Sequence, residues 1–143
     1  PIVRRPAERH LVDRLPGLSE GEKISLARRS DAMVLERLRH DPSPRVISAL
    51  LENPRLTEGL LLPLLASESA SPEVLARIAA SRWCHRYELR LALARNRRTP
   101  FGVAVALLSQ LRGSDLRALS LDVRASEAVR RAARQRLGNP RAS

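Results

Sequence analysis

Short helical segments that recur about every 40 residues constrain this chain more than any other feature. Residues 31–41 align with residues 71–81, and the alignment pairs Val34 with Val74. A second pair of segments, 43 positions apart, consists of residues 48–53 and 91–96. Because such short repeats cannot each bury an apolar face alone, successive copies are expected to stack against each other.

Helix start and stop signals agree with this repeat. At three places a serine or threonine stands before a proline, so that a capping hydroxyl precedes a residue favoured at the first helical position. Asparagine and glycine mark the expected helix ends. The predicted caps are Ser19 (with Glu22 in a capping box), Ser43, Thr57, Ser71, Thr99, Ser114 and Ser126, and the predicted stops are Asn53, Asn96, Gly113 and Gly138.

Apolar residues recur at helical spacing between these signals, as in Val103, Leu107 and Leu108. No alternating run predicts a strand. Aromatic residues make up only 2% of the chain, so leucine and alanine must fill its core, which favours helices over a sheet. We predict helices at residues 6–15, 20–29, 31–40, 44–52, 58–67, 72–80, 86–95, 100–111, 115–121 and 127–137.

These observations predict a single all-α domain over residues 1–143, because a chain of this length makes about one domain. The expected architecture is a right-handed α-solenoid of stacked short helices. Its core is expected to contain Leu35, Leu38, Ile78, Leu107 and Leu119. The repeats are expected at residues 31–70, 71–113 and 114–137, with a partial or capping copy at residues 6–30.

The segment Leu93-Ala-Arg-Asn-Arg-Arg-Thr-Pro100 has a looser copy in residues 50–57. In this element and in its alternating short helices, the chain resembles HEAT-like α-solenoids and, more closely, the leucine-rich repeat variant family. The likeness covers about residues 20–137 and implies an architecture rather than an activity. The founding member of that family carries an iron–sulfur cluster in a separate cysteine cluster, whereas Cys84 is the single cysteine here. We therefore expect no cofactor.

Positive charge is concentrated in the C-terminal part of this chain, whose formal net charge is +11. Residues 1–80 hold 12 basic and 11 acidic side chains, whereas residues 81–143 hold 14 arginines and four carboxylates. Arginine offers a rigid guanidinium that suits carboxylates and phosphates. A high total charge alone is explained by a solvated surface, but the uneven distribution favours an anionic partner.

The sequence offers little for catalysis. His10, His40 and His85 lie far apart and lack metal-ligand spacing, so we expect no metal site. The six glycines form neither a dinucleotide-binding fingerprint nor a P-loop. Cys84 has only the adjacent His85 as a candidate base, and a packed small side chain is the simpler interpretation. We predict that the chain is not an enzyme.

The arginine pattern is the remaining candidate site. Arg86 and Arg90 are one helical turn apart, and the repeat register places Arg130 at the position of Arg90. Neighbouring helices pack about 8–10 Å apart, so these side chains are expected to line one basic strip on the concave face of the solenoid. The alternative is a solvated face without a ligand. The predicted binding residues are Arg82, Arg86, Arg90, Arg97, Arg98, Arg130, Arg131 and Arg134.

Two functions fit such a strip. The first is a non-catalytic interaction module that binds an acidic protein partner. The alternative is a nucleic-acid-binding module that contacts the phosphate backbone, which the clustered arginines favour and the scarcity of aromatic residues for base stacking disfavours. We expect no small-molecule substrate.

No apolar run reaches the roughly 18 positions that a membrane-spanning helix needs, so we expect no membrane contact. The first residues carry charge and lack the apolar stretch of a secretory signal, and a cytoplasmic location is expected. Because the sequence begins with Pro1, we expect a processed chain or a fragment of a longer one.

Overall fold

A computed structural model describes residues 12–138, and this part of the chain is helical without a strand. The all-α fold class is therefore confirmed for these residues. Two short 3₁₀ turns, Leu15–Gly17 and Arg82–His85, accompany the α-helices. The α-helices that follow the first turn are α1 (Glu20–Arg29), α2 (Ala32–Leu38), α3 (Pro44–Leu51), α4 (Glu58–Ala66), α5 (Pro72–Ala79), α6 (Tyr87–Arg95), α7 (Phe101–Leu108), α8 (Gly113–Leu121) and α9 (Glu127–Gly138).

The predicted helices agree with these nine to within three residues at each end. The helix predicted at residues 6–15 lies largely outside the described residues. Ser19 and Glu22 form the expected capping box at the start of α1. The hydroxyl oxygens of Ser43, Ser71 and Ser126 accept backbone N–H groups at the starts of α3, α5 and α9. Local capping chemistry therefore determines where these four helices begin.

Three predicted signals around α7 and α8 were wrong. The Thr99 hydroxyl donates to the carbonyl of Leu93 at 2.6 Å, so it closes the end of α6 instead of capping α7. Gly113 begins α8 rather than ending a helix, and Ser114 lies inside that helix. The N–H of Arg112, the residue before α8, donates to the hydroxyl of Tyr87 at 2.9 Å. A distant side chain therefore anchors this helix start, and local sequence gives no sign of it.

Contacts divide the chain into two compact units, Pro1–Leu64 and Leu65–Ser143, which we call the N-terminal and C-terminal units. In the N-terminal unit, α1 packs against α3 and α2 packs against both. Its core side chains include Leu35 and Leu38 of α2 and Ile47 of α3, which are buried.

In the C-terminal unit, α9 packs against α8 and α7, and α6 packs against α7. Leu91, Leu108, Leu116 and Val129 belong to one buried cluster there. The burial of the five expected core residues is confirmed, with Leu35 and Leu38 in the first unit and Ile78, Leu107 and Leu119 in the second. The solenoid arrangement and the single-domain boundaries stay predictions.

One hydrogen bond recurs in six turns of the described chain. In each turn, a side-chain oxygen accepts the backbone N–H group two residues further on, a contact that lets the chain leave one helix without an unpaired donor. The six acceptors are Asp41 (3.0 Å), Asn53 (2.8 Å), Ser67 (3.1 Å), Ser81 (3.3 Å), Asn96 (2.9 Å) and Asp122 (2.9 Å).

Two of these acceptors, Asn53 and Asn96, also bind the end of an earlier helix. The Nδ2 group of Asn53, which is fully buried, donates to the carbonyls of Ala27 and Ser30, both at 2.9 Å. Asn96 donates in the same way to two carbonyls at the end of α4, at 2.8 and 3.0 Å. The repeated asparagine therefore joins the ends of two helices, and a carboxylate could not make these contacts.

Candidate anion-binding surface

Most carboxylates in the arginine-rich region already have partners. The pairs are Asp115 with the hydroxyl of Tyr87 (2.5 Å), Asp122 with Arg124 (3.2 Å) and Arg95 (3.9 Å), and Glu127 with Arg131 (3.2 Å). Glu88 is the fourth carboxylate after residue 80, and it is exposed. Few acidic groups are therefore left to neutralise the other arginines of this region.

Three of the predicted binding residues are exposed and unpaired. Arg86, Arg97 and Arg134 have no carboxylate or carbonyl partner among the described residues. Arg117 of α8 is also exposed and has no such partner among the described residues. Arg117 was not predicted from the sequence, because the prediction started from the one-turn spacing of Arg86 and Arg90. These four guanidinium groups are available to an external anion.

The predicted equivalents Arg90 and Arg130 are half-buried instead. The Nη1 group of Arg90 donates to the carbonyls of Cys84 (3.1 Å) and His85 (3.0 Å), which holds the second 3₁₀ turn against α6. In both arginines the Nε atom is buried without a hydrogen-bond partner in the described part of the chain. Much of the Arg90 guanidinium therefore serves the fold.

The remaining predicted residues each have a contact within the C-terminal unit. Arg98 donates to the carbonyl of Glu68 at 3.0 Å, and Arg131 pairs with Glu127 on its own helix. The guanidinium of Arg82 lies 5.7 Å from the ring centre of Trp83. All three side chains are nevertheless exposed. Their arrangement in one strip stays a prediction.

Tyr87 is the centre of a contact group that the sequence analysis did not anticipate. The guanidinium groups of Arg112 and Arg90 lie 4.3 and 5.5 Å from its ring centre. Burial raises the pKa of Tyr87, and its hydrogen bond to Asp115 raises this pKa further. Two cations over one ring leave it little room to stack with a base.

Arginines also precede two helices of the C-terminal unit. Arg86 and Arg112 are the N-cap residues of α6 and α8, and neither helix has a side-chain cap. The N-terminus of a helix is itself the positive end of the helix dipole, so a cation there does not stabilise the helix. The helix dipole therefore does not favour arginine at these two positions, and both residues add positive potential at the surface.

Three large apolar side chains are exposed in the same unit. Phe101 is 52% exposed at the start of α7, whereas Leu121 and Val123 are 79% and 77% exposed at the end of α8. Leu121 and Val123 stand on either side of Asp122 in the sequence. The C-terminal unit therefore presents both cationic and aliphatic surface to a partner.

The Cys84 thiol is half-buried in the C-terminal unit. Burial raises the pKa of this thiol, and the positive charge of Arg90 lowers it by a smaller amount. A protonated thiol is a poor nucleophile. No three histidine, cysteine or carboxylate side chains within residues 12–138 come close enough to hold a metal ion.

No protein-family model matches the chain, and neither a curated protein nor a solved structure matches it. The resemblance to the leucine-rich repeat variant family therefore stays a prediction. Among the described helices, none is both long and apolar enough to span a bilayer.

Proposed function

We propose that the chain is a non-catalytic interaction module, a HEAT-like α-solenoid of the leucine-rich repeat variant kind, which binds an acidic segment of a protein partner. In the C-terminal unit most carboxylates have a partner while several arginines have none, and this difference supports the proposal. Three of the four carboxylates after residue 80 are paired, whereas Arg86, Arg97, Arg117 and Arg134 are exposed and have no partner among the described residues.

An excess of unpaired arginines creates a positive potential that attracts and orients an acidic partner. Guanidinium groups also form charge-assisted hydrogen bonds with carboxylates, often two at a time. In this proposal, Arg86, Arg97 and Arg134 contact the partner directly. Arg82, Arg130 and Arg131 contribute at the edge, while Arg90 and Arg98 hold backbone carbonyls around it.

A protein partner fits the surface better than a nucleic acid. Recognition of unpaired bases needs several free aromatic rings, and in the C-terminal unit the Tyr87 ring is covered by two guanidinium groups while Phe101 is the exposed aromatic side chain of the described residues. Leu121 and Val123 offer apolar contacts, which a phosphate backbone cannot use but a peptide can. Nucleic-acid binding is therefore the alternative that a binding experiment has to distinguish from a protein partner.

Capture from a cell lysate with and without nuclease separates these two classes of partner. We expect the tagged chain to retain a discrete set of acidic proteins whose yield is unchanged by nuclease treatment. Raising the salt concentration should release them, because the contacts are mainly electrostatic. Proteins that disappear on nuclease treatment would contradict the proposal and support a phosphate-backbone binder.

A further inference from the structure

A surface cleft of about 170 Å³ lies within the C-terminal unit, where α4 and α6 end. Its lining combines charged and aliphatic groups, namely Arg95, Arg97, Arg124, Leu65, Ala66 and Ala92. Sites for small molecules usually enclose about 300–1,000 Å³, so this cleft suits a single side chain better than a metabolite.

Cations outnumber carboxylates around the cleft. Arg97 has no partner among the described residues, while Arg95 and Arg124 share one carboxylate, that of Asp122. Hydrogen bonds from Arg124 hold the pKa of Asp122 below its usual value, so this carboxylate is ionised at neutral pH. Glu68 is the acidic residue in the lining itself. The balance of charge favours an anionic occupant.

Two exposed aliphatic residues stand close in sequence to a residue of the cleft lining. Leu121 and Val123 flank Asp122 in the sequence, and Val123 is directly followed by Arg124 of the cleft lining. Both aliphatic side chains are more than three-quarters exposed. Covering them with an apolar group of a partner would remove that surface from water and add to affinity.

We propose that this cleft receives an acidic protein segment in which an aliphatic side chain is flanked by carboxylates. The proposal rests on the function proposed above and names its point of contact. The carboxylates of the segment pair with Arg97 and Arg124, and its aliphatic side chain packs on the aliphatic part of the lining at Ala66 and Ala92. Asp122 competes with the segment for Arg124 and so limits its affinity.

Selection of a display library of short random peptides on the full chain tests this assignment. We expect the enriched peptides to combine aspartate or glutamate with leucine, isoleucine or valine. A synthetic, fluorescently labelled copy of the most enriched peptide then gives a dissociation constant for each variant by anisotropy. Thermal unfolding of each variant verifies that it is folded.

The variant Arg97→Gln/Arg124→Gln removes the two proposed cationic contacts. Exposed ion pairs contribute little individually, so the double change should weaken peptide binding about tenfold. Arg29→Gln/Arg37→Gln is the matched control, because both arginines are exposed in the N-terminal unit and the charge change is the same. We expect this control to change the affinity less than about twofold.

The variant Asp122→Asn tests the competition directly. The amide oxygen of the new asparagine can still accept the backbone N–H of Arg124. Asn96 already accepts the backbone N–H of Arg98 in this way. The negative charge that competes with the peptide is lost. We expect peptide binding to tighten about threefold. Glu88→Gln makes the same charge change on an exposed residue outside the cleft, and we expect it to have a smaller effect.

The outcomes separate this proposal from the broader one. Acidic peptides whose binding is insensitive to Arg97→Gln/Arg124→Gln but sensitive to Arg86→Gln/Arg134→Gln would overturn the cleft and leave the acidic-partner function in place. A selection that enriches no acidic peptide would overturn both. If the wild type binds short duplex DNA and Arg97→Gln/Arg124→Gln does not, the occupant of the cleft is a nucleic acid and the peptide assignment is overturned.

Discussion

Asp122 takes the same turn position after α8 that Asn96 takes after α6, but the two side chains use it differently. Each accepts the backbone N–H group two residues further on, at 2.9 Å. Asn96 then donates to two carbonyls at the end of α4, whereas Asp122 has no donor and instead attracts Arg124 and Arg95. One residue joins two helices, and the other places guanidinium groups at the surface.

The donor function of Asn96 predicts a large loss of stability for Asn96→Asp. The new carboxylate keeps the acceptor oxygen, but it faces the two carbonyl oxygens that the amide now binds. We expect the free energy of unfolding to fall by about 2–4 kcal/mol. Urea denaturation followed by the fluorescence of the single tryptophan, Trp83, measures it.

Asp122→Asn is the reciprocal control for that experiment. An amide at this position still accepts the turn hydrogen bond and gives up ion pairs with two exposed arginines, so we expect a loss of about 1 kcal/mol, smaller than that in Asn96→Asp. Equal losses of stability in Asn96→Asp and Asp122→Asn would show that the two positions are equivalent and would refute the distinction.

The lowered pKa of Asp122 predicts part of the acid sensitivity of the chain. Hydrogen bonds from Arg124 favour the ionised carboxylate in the folded state. Its contribution to stability is therefore present above the usual aspartate pKa of about 3.9 and is lost as the pH falls through the lower folded value. Asp122→Asn should lose less stability than the wild type between about pH 5 and pH 2. If the free energy of unfolding falls by the same amount in both proteins across that pH range, this prediction is contradicted.

The single tyrosine offers a direct spectroscopic test of the Tyr87 contact group. Burial and the hydrogen bond to Asp115 both favour the neutral phenol, so phenolate absorbance should appear above the usual pKa of about 10. Asp115→Asn removes the acceptor charge and should lower the midpoint. If the wild-type phenol titrates at its ordinary pKa and Asp115→Asn does not change that pKa, the hydrogen bond between Tyr87 and Asp115 does not form.

Much of the fold was predictable because its signals are local. The capping serines, such as Ser43 and Ser71, bind N–H groups three residues away, so their role is visible in a short stretch of sequence. The contact of Tyr87 with Asp115 joins residues 28 positions apart, and spacing alone does not reveal such a pair. The sequence identified Arg86, Arg97 and Arg134 as candidates, but it did not reveal that the Arg90 side chain turns back to the carbonyls of Cys84 and His85.

The core of the C-terminal unit predicts that Leu107 and Leu121 contribute very differently to stability. Leu107 is 5% exposed, so Leu107→Ala should destabilise the chain by about 2–5 kcal/mol through lost apolar contacts and a residual cavity. Leu121 is largely exposed, and Leu121→Ala should change the stability by no more than about 0.5 kcal/mol. Thermal unfolding of both variants measures the contrast, and a neutral Leu107→Ala would contradict the assignment of the core.

Quantitative capture of partner proteins by matched variants is the most direct test of the central claim. Nuclease-treated lysate is passed over the wild type, over Arg86→Gln/Arg134→Gln in the C-terminal unit, and over Arg29→Gln/Arg37→Gln in the N-terminal unit. Each double variant loses the same charge from exposed arginines without a carboxylate partner in the described structure. The account predicts that the C-terminal variant loses most of the acidic partner and that the N-terminal variant retains it. Equal yields from all three proteins, or equal losses in both variants, would contradict a specific contact of the acidic partner with Arg86 and Arg134.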